Sequence, residues 1–150
     1  MLKKKEVKSR DSHTMKQITA FTHAKHIALM SDYNRIHIGC IAIYNNTIIS
    51  VGWNQNKTHP IQKYYNKYRD FISDNGTLDK LHAEIDCISK IKYMDIKWDK
   101  VKIFVYREML DGSIGMARPC PACMAYIKDM GIKNIYYTTA DGFVHEVLRN

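Results

Sequence analysis

No stretch of this chain approaches the roughly 20 apolar residues that a membrane-crossing helix needs. The N-terminus is basic, but no apolar run long enough for a secretory leader follows it. Cysteine is scarce too: Cys40, Cys87, Cys120 and Cys123 are unevenly placed, and only the last two form a short motif. That distribution excludes a small disulfide-framed scaffold and favours a reducing compartment in which thiolates serve a metal. Acidic residues are outnumbered, 15 against 23 lysines and arginines, for a formal net charge of +8. The surplus favours anionic partners such as nucleotide phosphates or a nucleic-acid backbone. Part of it is only a tail, because Lys3, Lys4, Lys5, Lys8 and Arg10 precede any apolar pattern and read as a mobile segment. Internal repeats and low-complexity linkers are absent as well. What remains suffices for one domain: 150 residues, 45% of them hydrophobic, enough to bury a core. The expectation is a soluble cytoplasmic protein.

Ile18, Phe21, Ala24, Ile27 and Ala28 recur at helical spacing and predict a first helix from Met15 to Met30. Ile36 to Tyr44 and Thr47 to Trp53 read as two strands joined by Asn45-Asn46, residues that tolerate the positive φ of a tight hairpin turn. A long connection from Asn54 to Gly76 is expected to be partly helical near Gln62 to Phe71. Thr77 or Asp79 can cap a helix reaching about Tyr93, with Leu81, Ile85, Ile88 and Ile91 as its apolar face. Val101 to Arg107 reads as a third strand, Glu108 to Arg118 as a loop, and Pro121 to Met130 as a helix stopped by Gly131. Lys133 to Thr139 and Phe143 to Leu148 complete the pattern. The third and fourth strands should be parallel across their helical crossover, and the Asp141-Gly142 turn should make the last strand antiparallel. The fold class is therefore α/β, a mixed sheet of about five strands between helices.

Chemistry concentrates at two helix starts, His82-Ala83-Glu84 and Pro119-Cys120-Pro121-Ala122-Cys123. Two cysteines three apart at a helix start can aim both sulfurs at one point, where the helix dipole and a cation favour thiolate. With His82 they make three ligands and leave a tetrahedral position for water, the pattern of a catalytic zinc, which lowers the pKa of that water to roughly 7. Glu84 is placed to move the water's proton. A structural zinc would require a fourth ligand, for which Cys87, His59 and His37 are the candidates. The pairing His-x-Glu with Pro-Cys-x-x-Cys is the signature of zinc deaminases.

From about Met15 to the C-terminus the chain resembles the cytidine deaminase-like superfamily. Its two motifs look most like those of deoxycytidylate deaminases and tRNA adenosine deaminases. Ile38-Gly39-Cys40-Ile41-Ala42-Ile43 and Val51-Gly52-Trp53-Asn54 are similar to the first two strands of that family. The resemblance implies a three-layer α/β/α fold, one zinc ion held by His82, Cys120 and Cys123, and Glu84 as proton carrier. It also implies substrate contacts from Asn54 and from the backbone at Ala83. Residues 1–14 are then a basic tail and 15–150 the zinc-dependent deaminase domain. Two features depart from close relatives: the Glu108 to Arg118 insertion and the antiparallel end.

The leading expectation is deamination of a cytosine-containing nucleotide, a deoxynucleoside monophosphate, with Arg118 as a phosphate contact among Lys57, Lys63, Lys67 and Arg69. Arg118 reads equally as a surface ion pair. An alternative is a deaminase of cytosine or adenine in single-stranded DNA or RNA, with Tyr64, Tyr65 and Tyr68 as a stacking track. Those aromatics also fit packing of a short amphipathic helix on Tyr64, Tyr68 and Phe71. A further alternative is a non-catalytic, zinc-stabilised binding domain, for which Glu84 has no use. A homo-oligomer is compatible with the exposed helix faces.

Overall fold

A computed structural model describes residues 11–33, 35–69 and 80–149, with side chains from residue 16 onward. The basic residues before position 11, Phe71, and the capping candidates Thr77 and Asp79 lie outside the described residues. The elements are α1 (Asp11–Ala28), β1 (His37–Tyr44), β2 (Thr47–Trp53), α2 (Pro60–Tyr65), α3 (Ala83–Ser89), β3 (Lys102–Glu108), α4 (Pro121–Asp129), β4 (Asn134–Thr139) and β5 (Gly142–Val147). They form one five-stranded sheet in the order β2-β1-β3-β4-β5. Only β3 and β4 run parallel, joined through α4, and β5 returns antiparallel to β4 as the Asp141-Gly142 turn requires. At the β1–β2 turn Asn45 and Asn46 have φ of 51° and 62°, the left-handed pair that matches the twist of a two-residue hairpin. Gly131, with φ of 90°, ends the α4 segment as expected.

Strand parity divides the core into two layers. Ile41, Phe104, Tyr136 and Phe143 face α1 and bury its Phe21, Ala24 and Ala28. Phe21 packs edge-on to Phe104 at 5.3 Å and against Phe143 at 4.7 Å, so one aromatic cluster fixes the first helix. Cys40, Ala42, Ile103 and Val105 face the opposite layer, where Ile85 and Ile88 of α3 and Cys123 and Ile127 of α4 close over them. No helix among the described residues is long and apolar enough to cross a membrane.

Three boundaries differ from expectation. The first helix begins four residues earlier, at Asp11. The helix of the first motif, α3, is much shorter than Thr77 to Tyr93. Leu81 donates to Lys57 O and accepts from Gln55 N, and Lys80 bridges Thr58, so the chain up to His82 is held extended. The segment Glu108 to Arg118 is a small β-arm rather than an open loop. Glu108 pairs with Ile114, Gly115 N–H bonds Arg107 O, and Ala117 N–H bonds Thr138 O at 2.9 Å.

The approach of α3 to the sheet depends on a missing side chain. A Cβ on Gly52 would run into the backbone of α3 at Ala83 and Cys87. Gly52→Ala is therefore expected to lose at least about 1–3 kcal/mol, the usual range for overpacking, read as a lower denaturant midpoint. An unchanged midpoint would show that α3 can shift away freely.

Candidate metal centre and its pocket

Two helix starts meet above the same face of the sheet. His82 is the N-cap of α3, with φ −86° and ψ 155°, and Cys120 is the N-cap of α4, with φ −66° and ψ 167°. Extended caps turn their side chains off the helix axis and toward each other. Cys123 follows three positions into α4 and completes the triangle, with one donor atom from each residue and all three within 4.8 Å of one another. His82 Nδ1 lies 3.5 Å from Cys120 Sγ and 3.4 Å from Cys123 Sγ. A tetrahedral zinc with its usual Zn–S and Zn–N lengths places these atoms about 3.6 Å apart, so the donor set fits that ion.

The candidates for a fourth protein ligand all lie elsewhere. His59 Nδ1 accepts from Ile61 N and caps α2, His37 Nε2 meets Tyr33 O at 3.0 Å, and Cys87 is buried on the side of α3 that packs on the sheet. Among the described residues the cluster holds His82, Cys120 and Cys123 and no further His, Cys, Asp or Glu. Three donors fit an open site better than a closed structural one.

Electrostatics within the triangle favour thiolate at Cys120 and oppose it at Cys123. The hydrogen bond from Cys123 pushes the Cys120 thiol down to about 3, and His82 adds to the effect against the opposing cost of burial. Burial raises Cys123, as does that same bond. Glu84 is buried beside them. Its carboxyl is pushed up to about 7, first by burial, with His82 lowering it and Cys120 raising it.

The triangle opens into a cleft of about 310 Å³. His82, Glu84 and Cys120 line it together with Asn54, Arg107, Arg118 and the arm residues Met116 and Ala117. Asn54 is tied to the start of β1: its Oδ1 accepts Ile38 N–H at 2.9 Å and its Nδ2 donates to Ile36 O at 2.8 Å. Ala83 is fully buried behind the pocket, its methyl in the core. Arg118 borders the cleft, but Nε and Nη2 form a forked pair with Glu146 at 3.0 and 2.9 Å. The ion-pair reading of Arg118 therefore describes its present contacts. The tyrosines fit neither expectation as stated. Tyr65 is the one that packs, between Tyr64, Tyr68 and Tyr126, while its hydroxyl donates to Asp129. Tyr64 and Tyr68 stay exposed, with Lys67 Nζ 3.9 Å above the Tyr64 ring.

Three contributors carried no motif. Gln62 of α2 is fully buried, accepts the His82 backbone N–H at 3.0 Å and donates to Asn66 Oδ1 at 2.9 Å. Buried Asp86 joins α3 to the end of β2 by accepting Trp53 N–H and Gln55 Nε2, with Lys90 at 3.2 Å. Arg107 extends the inward face of β3 past Ile103 and Val105. That parity, a charge on the buried face at the strand's C-terminal end, was the one available signal; Gln62 and Asp86 offered none.

A family described as the cytidine and deoxycytidylate deaminase zinc-binding region matches residues 14–139, and the chain belongs to it. The fold is similar to that of the dCMP deaminase from cyanophage S-TIM5 in its apo form. There the TM-score is 0.59 at 21% identity, covering 87% of this chain and 86% of that one. It is also similar to the cytidine deaminase from Burkholderia pseudomallei, with TM-score 0.58, 14% identity, and 87% and 91% covered. No curated protein matches significantly in sequence. The site and fold are those of a zinc-binding deaminase family with the cytidine deaminase-like architecture.

Gln62 holds the backbone of His82, the candidate zinc ligand, from behind. Gln62→Leu should lower zinc affinity about 10–100-fold, the usual cost of losing a partner that orients a ligand, with cooperative unfolding retained. Competition with a chelator measures this. Equal affinity in the two proteins would remove Gln62 from that role.

Proposed function

We propose that the protein is a hydrolytic deaminase that converts a cytosine-containing deoxynucleoside monophosphate to its uracil form and releases ammonia. The observation that carries this reading is the convergence of His82, Cys120 and Cys123 beside the buried Glu84 in one cleft. Family membership supports the reaction class. The cyanophage dCMP deaminase was also solved in complex with dCMP and dUMP, at TM-score 0.57, 21% identity, and 87% and 83% covered. That a protein of similar fold is described in complex with these nucleotides supports a nucleotide as the substrate class.

In this reading His82 Nδ1 and the two thiolates hold one zinc ion, and when bound the ion supplies an acidified water. The Glu84 carboxylate takes a proton from the attacking water and delivers it to N3 of the ring while the water oxygen bonds to C4. It then transfers the second proton from that oxygen to the amino group. The C4–N bond breaks, ammonia departs, and C4 keeps the oxygen as the uracil carbonyl. The balance is one water consumed and one ammonia released. Asn54 and the backbone at Ala83 would contact the base, and Arg118, paired with Glu146, lines the same cleft.

A second reading, deamination within a single strand, draws support from the exposed Tyr64 and Tyr68 rings beside Lys67. Activity of the zinc-loaded protein on nucleosides, mononucleotides and oligonucleotides separates the two. Turnover of monophosphates alone is expected, whereas turnover of strands alone, falling steeply with added salt, would reverse the order.

Metal analysis is expected to find about one zinc per chain. Glu84→Gln should abolish ammonia release while zinc is retained. Turnover within tenfold of the parent would remove Glu84 from the proton transfers.

A further inference from the structure

The cleft is cationic in a way that the metal chemistry does not use. Arg69, Lys80, Arg107 and Arg118 line it, and among the described lining residues Glu84 alone is acidic. Arg118 is forked onto Glu146. Arg107 has a different set of contacts. Its Nη1 donates to Met116 O at 3.1 Å, and its Nε is buried with no hydrogen-bond partner. A guanidinium offers five N–H donors in a fixed fork, and a buried donor left unpaired requires an explanation.

Position supplies one. Arg107 pairs with Ile38 across β1–β3, and Ile38 N–H is held by Asn54 Oδ1, so Asn54, Ile38 and Arg107 form a row at the pocket's edge. The Arg107 backbone N–H is fixed by Thr138 Oγ1 at 3.2 Å, and the same hydroxyl donates to Gly115 O. Gly115 crowds the Arg107 stem, where an added Cβ would meet Cγ and Cδ at 3.3 and 3.2 Å. Thr138 thus fixes the arginine's backbone while the β-arm confines its stem and Nη1. In a cytosine ring, N1 lies across from C4. A base with C4 toward Glu84 and the triangle sends its sugar and 5′ substituent outward along this wall.

We infer that Arg107 is the specificity residue for the substrate's anionic group, its guanidinium taking up a phosphate oxygen of a nucleoside monophosphate. The β-arm fixes it for that contact. The inference rests on the mononucleotide reading above and adds the residue that separates nucleotide from nucleoside. A charge-assisted fork to phosphate corresponds to about 10–100-fold in affinity.

Calorimetric titration of the zinc-loaded protein with deoxyuridine monophosphate and with deoxyuridine tests it, because product binding needs no turnover. The wild type is expected to prefer the monophosphate by at least about tenfold, and Arg107→Gln to bring the two affinities close together. A retained preference in Arg107→Gln would overturn the inference, as would an equal proportional loss for both ligands. Wild-type protein that binds both ligands equally overturns the Arg107 assignment while leaving base deamination standing. Wild-type protein that binds neither overturns the mononucleotide reading together with it.

Discussion

Everything at this centre depends on two helix starts that are brought together with both of their cap residues turned inward. His82 and Cys120 each occupy the extended position before a helix, and Cys123 sits one turn inside the second. Neither helix could be placed independently. α3 reaches the sheet only because Gly52 has no side chain, and α4 is fixed as the crossover between parallel β3 and β4. Gln62 from α2 and Asp86 on α3 then hold the loop ends by backbone hydrogen bonds. Two sulfurs and an imidazole nitrogen this close, half-buried or buried, share a proton poorly. The cluster fits a zinc ion, and a cation bound there would take that proton's place.

Much of the framework was legible because local chemistry and packing agree there. The Asn45-Asn46 turn, the alternation along β1 and β3 and the Asp141-Gly142 reversal are each dictated by a few neighbouring residues. The clustering of His82, Cys120 and Cys123 was legible for the same reason, since the spacing within each motif is a property of one helix start. What could not be read depends on contacts between distant segments. The apolar spacing of Leu81 with Ile85 and Ile88 continues a helix pattern backwards, yet pairing of residues 80 and 81 with residues 55–58 keeps them extended. Gln62 is an ordinary polar residue in a lysine-rich stretch until α2 folds over the His82 backbone.

Charge was a coarse guide. The surplus of lysine and arginine indicated anionic partners, but composition does not say which cation faces a pocket and which faces an acid. Arg118 is next to the zinc motif in sequence, yet Glu146 on β5, a strand that exists because of the antiparallel turn, takes its fork. Arg107 is remote from both motifs in sequence, yet parity and the β-arm bring it to the cleft. The end of the Glu108 to Arg118 segment thus becomes a wall of the pocket.

A metal held by His82, Cys120 and Cys123 would have one nitrogen and two sulfur donors from this chain and a position left open. X-ray absorption at the zinc edge of the loaded protein tests it most directly. Two sulfur neighbours at about 2.3 Å and two lighter nitrogen or oxygen neighbours at about 2.0 Å are expected. A shell of three or four sulfurs, or one with no sulfur, would contradict it.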